Sequence, residues 1–192
     1  EDKNTSTYLD FLVNVDKKFG ENYHLLVNLG GSFYDEKYKS DTFEGNLVGV
    51  PNFFHPSNIP STESNYNKSE LHTQTQSIYG KAEIGYRNFL YADVTGRIDW
   101  FSTLVGTSKE YVCYPSAGLS VILSEILPLP EKIISFWKIR GSYAQVGNPP
   151  SAYLPYATVA LENGNATSAN FTPASHLKPE MTKAFEFGMD LR

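Results

Sequence analysis

From residue 90 to residue 100 the chain alternates without a break. Leu90, Ala92, Val94, Gly96, Ile98 and Trp100 are small or apolar; Tyr91, Asp93, Thr95, Arg97 and Asp99 are polar or charged. A repeat of two puts the two sets on opposite faces of a β-strand. The same period recurs along the chain. Residues 8–16 set Leu9, Phe11, Val13 and Val15 against Asp10, Asn14 and Asp16. Residues 23–35 set Leu25, Val27, Leu29, Gly31 and Phe33 against Asn28, Gly30, Ser32 and Tyr34. Residues 73–86 set Ile78, Gly80, Ala82, Ile84 and Tyr86 against Tyr79, Lys81, Glu83 and Gly85. With the strand over 89–102, three more are predicted, over 114–124, 134–146 and 182–192. The last two set Trp137, Ile139, Gly141 and Tyr143 against Lys138, Arg140 and Ser142, and Phe185, Phe187, Met189 and Leu191 against Glu186, Gly188 and Asp190. Helical periodicity is hard to find, so the chain reads as all-β and antiparallel.

The connections alternate in length. Turns at Gly20 and at Arg87-Asn88 are tight, and "LPLPEK" reads as a short proline-rich break, because proline cannot continue a central strand. Between them lie an irregular stretch over 36–71, a medium loop carrying Cys113, and a second long loop over 147–179. Loops this long are uncommon in compact domains and are usually functional or disordered.

The sidedness decides the function class. A soluble sandwich packs its apolar face on a core and leaves its charges in water. A membrane barrel turns its apolar face to lipid and lines a lumen with its charges. Most of the predicted strands reach ten residues or more, whereas globular strands average about five or six and a tilted membrane strand needs about nine to eleven. Loops sorted short on one side and long on the other follow the outer-membrane plan. Trp100, Tyr86, Trp137 and Tyr143 are expected near strand ends as interfacial aromatics. Small Gly and Ala residues on the apolar faces fill a core poorly and suit a lipid contact. The reading is a partial transmembrane antiparallel β-barrel of about seven strands with long outer loops. A soluble carbohydrate-binding β-sandwich is the alternative, and a barrel enzyme a further one.

Composition narrows the field. The 192 residues carry a net charge of −5 and a pI near 5.4, which argues against nucleic acid. No run approaches the roughly 18 apolar residues of a membrane helix. The single cysteine, Cys113, has no internal disulfide partner and reads as incidental. Four Asn-x-Ser/Thr triplets, at Asn4, Asn67, Asn165 and Asn170, read as chance in Asn- and Ser-rich loops. His24, His55, His72 and His176 show no metal spacing, and neither a phosphate loop nor a Gly-x-Ser-x-Gly elbow occurs. Asp93 and Asp99 share a strand face with Arg97 between them, which reads as a structural network, not an acid/base pair. No catalytic residue, metal or cofactor is expected.

The ordered segments "SIYGKAEIGYRNFLYADVTGRIDWFSTL", "YPSAGLSVILSE", "KIRGSYAQVGN" and "LKPEMTKAFEFGMDLR" resemble the SusC/RagA-type TonB-linked outer-membrane transporters. Each is weak alone; their order, over residues 77–192, is specific. The resemblance implies a 22-stranded barrel around a plug in the bacterial outer membrane, energised by TonB and lidded by a SusD-like surface lipoprotein that helps capture glycans or peptides. By that resemblance the whole chain is part of one barrel domain, with the plug, TonB box and terminal strands lying outside it. Lys81, Glu83, Asp93, Arg97, Asp99, Lys138, Arg140 and Glu186 are the candidates to face the lumen or touch the plug. Phe53, Phe54, Tyr66, Tyr153 and Tyr156, in the long loops, are the candidates to meet substrate or lid.

Overall fold

A computed structural model describes residues 1–62, 64–128, 130, 134–154, 159–162, 165–168 and 178–192. Seven strands form one antiparallel sheet: β1 (Asp2–Phe19), β2 (Tyr23–Glu44), β3 (Asn65–Tyr86), β4 (Leu90–Phe101), β5 (Tyr111–Ile122), β6 (Trp137–Asn148) and β9 (Glu180–Leu191). Each strand but the last lies beside its successor; between β6 and β9 the chain makes a separate pair, β7 (Val159–Glu162) and β8 (Asn165–Ser168). Each tight turn has a residue-level cause. Gly20 takes a φ of 61°, and Arg87 and Asn88 take 46° and 60°, the left-handed values that reverse a chain in few residues. The two turns are tied together, because Arg87 donates its backbone N–H to Asn22 O at 2.8 Å and its Nε to Asn22 Oδ1 at 3.0 Å.

The register carries the alternation across the whole sheet. Val15, Val27, Ala82, Val94, Ala117, Tyr143 and Phe185 stand in one row. The next row, on the other face, is Asp16, Leu26, Glu83, Asp93, Gly118, Ser142 and Glu186. A slip of one residue in any strand would mix the two faces. The apolar face is the bare one: Val94 is 57% exposed, Ile78 61% and Phe187 89%. On the polar face Ser77 and Asp99 are buried, at 5% and 6%, while Arg140 and Glu186 stay exposed. Among the described residues only Leu104 and Val112 are fully buried apolar side chains, at the outer end of β4 and β5. The apolar rows therefore have no second layer to pack on, which is the opposite of a sandwich.

The structure corrects several boundaries. The irregular stretch expected over 36–71 is mostly strand: β2 and β3 run 22 residues each and pair up to Glu44 and Asn65. Over 36–41 both faces are hydrophilic, with Lys37, Lys39 and Asp41 on one and Glu36, Tyr38 and Ser40 on the other. Two wet faces leave no apolar period to detect. Cys113 lies within β5, opposite Ile98, not in a loop. Pro115 also lies within β5; it has no N–H to donate, and pairing with β6 begins only at Ser116. The connection after β5 spans 123–136, longer than the short turn expected from its prolines. Tyr143 stands in the middle of β6, not at its end.

Candidate functional site

The polar face assembles eight sequence candidates: Lys81, Glu83, Asp93, Arg97, Asp99, Lys138, Arg140 and Glu186 all share it. They form three groups. Lys81 pairs with Glu83 at 2.9 Å, along β3. Arg97 pairs with Asp99 at 2.6 Å along β4, and donates a second bond to Ser77 Oγ at 2.9 Å. Asp93, Lys138, Arg140 and Glu186 line a polar cavity of about 310 Å³ with Ser120 and Ser142.

Among these eight residues the ion pairs run along strands, and Glu83 faces Asp93 directly, like charge against like. Such a pair is destabilising unless the carboxylates separate. A glycine gives Asp93 that room: a Cβ on Gly118, its partner in β5, would stand 2.5 Å from Asp93 Oδ1. The same seat recurs across the wall. Tyr79 lies over Gly30, where a Cβ would come within 2.7 Å of its ring, and Arg140 lies over Gly188, within 2.6 Å of Nε. Large side chains on the polar face thus lie flat across glycines of the next strand.

Tyr79 is the functional-face residue that alternation alone did not single out. Its hydroxyl donates to Asp10 Oδ1 at 2.6 Å, and the Arg97 guanidinium sits 5.6 Å from its ring centre. Through it, β1, β3 and β4 share one network of Asp10, Tyr79, Arg97, Asp99 and Ser77. Only the register reveals this, because Asp10 and Tyr79 are separated by 69 positions.

The outer halves of β1, β2 and β3 project as a charged ribbon. Glu70 accepts from Lys39 at 2.9 Å and from Lys68 at 3.1 Å, and these two ammonium groups hold its carboxyl below the usual carboxylate value. Asp41 accepts from the Tyr66 hydroxyl at 2.6 Å, a bond that raises the phenol above its ordinary value. His72 bonds Asp35 at 2.7 Å.

The loop over 45–64 closes this ribbon around one side chain. Asn58 is 8% exposed. Its Oδ1 accepts from the N–H groups of Gly49 at 3.0 Å and Val50 at 2.8 Å. Its Nδ2 donates to Val50 O at 2.7 Å and Phe53 O at 2.9 Å. All four valences of a buried amide are satisfied, which fixes the loop. Sequence reading did not find Asn58, since one Asn in an Asn-rich loop carries no signal.

Of the loop candidates, Phe53, Phe54 and Tyr66 are exposed at this outer end, at 51%, 85% and 58%. Phe53 stacks on His55 with ring centres 5.5 Å apart. Tyr153 reaches β3 from the connection after β6, its hydroxyl accepting from the His72 N–H at 3.4 Å. Tyr156 lies outside the described residues. Among the described residues no group of three or more His, Cys, Asp or Glu side chains gathers as a metal site.

Comparison with known proteins agrees with this architecture. The family model described as "TonB dependent receptor-like, beta-barrel" matches residues 1–192. No curated protein matches the chain. Among solved structures, the chain superposes on the RagAB peptide transporter with a TM-score of 0.86 at 15% identity, covering 99% of this chain and 22% of that one. The RagAB peptide importer gives 0.86 at 15% in its open-open state and 0.77 at 14% in its closed-closed state, with the same coverage. The chain thus spans about a fifth of the length of the proteins it is similar to. An outer-membrane barrel explains the inverted sheet, whose apolar face meets lipid instead of a core. The chain belongs to the TonB dependent receptor-like, β-barrel family of the bacterial outer membrane, and its fold is that of a stretch of such a barrel.

Proposed function

We propose that this chain is wall and outer rim of a TonB-dependent nutrient importer that takes a glycan or peptide with a SusD-like surface lipoprotein as lid. The observation that carries the reading is the polar face. It is continuous over seven strands, carries the ion pairs Lys81–Glu83 and Arg97–Asp99, and seats Tyr79, Asp93 and Arg140 over glycines of neighbouring strands. In a barrel that face is the lumen. Lys81, Glu83, Asp93, Arg97, Asp99, Lys138, Arg140 and Glu186 line it and meet a plug or passing solute. Phe53, Phe54, Tyr66, Tyr153 and Tyr156 meet substrate or lid at the outer side. The work is transport without bond-making, with energy supplied by TonB through a part of the parent protein outside this chain.

The parent protein, extracted from its native outer membrane in detergent, tests this. The expected result is a co-purifying surface lipoprotein, and cellular uptake of a labelled glycan or peptide that stops when TonB is removed. A parent that needs no detergent and purifies alone, or uptake indifferent to TonB, would contradict the reading.

A further inference from the structure

At the outer end of the β2–β3 ribbon, Phe43, Leu47, Phe54, Pro56 and Ile59 wall a cavity of about 430 Å³ together with Glu44 and His55. Three observations bear on what it holds. First, the cavity is preformed, because the Asn58 hub fixes the loop that carries most of its walls. A rigid loop that holds Phe54 at 85% exposure keeps an apolar surface in water, which is unfavourable until something covers it. Second, the cavity lining carries the Glu44 carboxylate and no Lys or Arg. Asp41 is engaged by Tyr66, whereas Glu44 has no ion pair among the described residues. Third, the walls offer few polar side chains. Apart from Glu44 there is only His55, and its Nδ1 is bonded to Ser57 Oγ at 2.7 Å.

A sugar needs partners for several hydroxyls, and these walls supply few. An apolar side chain needs none, and a cation beside it would gain both from Glu44 and from the aromatic faces. We propose that this cavity is a peptide-docking site that takes one apolar side chain whose neighbouring residue or amino terminus is positively charged. The inference rests on the importer reading only in placing the loop on the outer side, and it narrows the cargo to cationic, apolar peptides.

The test uses the full-length parent in detergent, with a fluorescent hexapeptide of alternating Lys and Phe as probe. Hexapeptides of alternating Ser and Phe and of alternating Glu and Phe, and a neutral hexasaccharide, serve as competitors. The Lys–Phe probe is expected to bind best. Phe54→Ala is expected to weaken it about tenfold, the loss typical of a central aromatic anchor. Glu44→Gln is expected to weaken it less and to flatten its salt dependence. Both changes lie on the surface and leave the barrel intact; Asn58→Ala, which unlocks the loop while leaving the walls' side chains in place, should also weaken the probe. Equal binding of the neutral, acidic or saccharide competitors would overturn the proposal. So would unchanged binding in Phe54→Ala, or a Phe54→Ala protein that holds the peptide but loses a co-purifying lipoprotein. If another cargo still enters cells in a TonB-dependent way, only this docking site has failed; if no cargo does, the importer reading has failed with it.

Discussion

At the residue scale the wall depends on where it has no side chain. Gly30 and Gly96 both sit in strands, on opposite faces, and their surroundings differ sharply. A Cβ on Gly30 would lie 2.6 Å from the Phe11 carbonyl oxygen and 2.7 Å from the Tyr79 ring; one on Gly96 would meet nothing within 4 Å. Backbone cannot yield as a flexible side chain can, so Gly30→Ala must displace β1 or the Tyr79 that bridges to Asp10. A cost of about 1–3 kcal/mol is expected, as for other overpacked sites. Gly96→Ala should be neutral or stabilising by about 0.5–1 kcal/mol, because alanine loses less backbone freedom on folding. Thermal unfolding of the full-length barrel, read by its gel shift, separates the two; equal effects would mean the glycine seats are incidental. None of these seats could be read in the sequence, since a glycine there looks like any strand glycine. What could be read was the face: every charged candidate fell on the polar side because a strict period of two leaves no choice.

At the element scale the strands have two parts with different solvents. The inner halves of β2 and β3 alternate and were legible for that reason. Their outer halves are held by the ribbon's own charges, and nothing in residues 36–44 or 65–71 marks an apolar face. Cys113, expected in the loop before a strand starting at 114, lies within β5, which begins three residues earlier and accommodates Pro115 where its ladder with β6 has not begun. The pairing that replaces hydrophobic contact in the ribbon is titratable. The Glu70 carboxyl is held below its ordinary value by Lys39 and Lys68. A depressed carboxylate stabilises the fold at pH values above its unfolded pKa, and that contribution is lost as pH falls through the lowered folded value. Hydrogen exchange in the ribbon, corrected for intrinsic rates, should therefore stay slow at neutral pH and accelerate below about pH 4. Glu70→Gln should exchange faster already at neutral pH and lose part of that pH response. A ribbon equally protected at every pH would show that the Glu70 cluster does not hold it.

At the scale of the whole molecule the sheet inverts the soluble pattern, with its apolar face bare. Seven strands carry apolar rows on one face with no layer above them and polar rows on the other, tied by Tyr79, Arg97 and Asp99 across β1, β3 and β4. The family match and the RagAB superposition describe the same object from outside. The most direct test is a set of single-site fluorescent labels on the parent protein in bilayers, at Ile78 and Val94 on one face and at Lys81 and Asp93 on the other. A quencher carried on the lipid chains should darken the labels at 78 and 94 and leave those at 81 and 93 bright. Labels quenched alike on both faces, or Asp93 quenched and Val94 not, would contradict the barrel wall and return these strands to a soluble sheet with its charges in water.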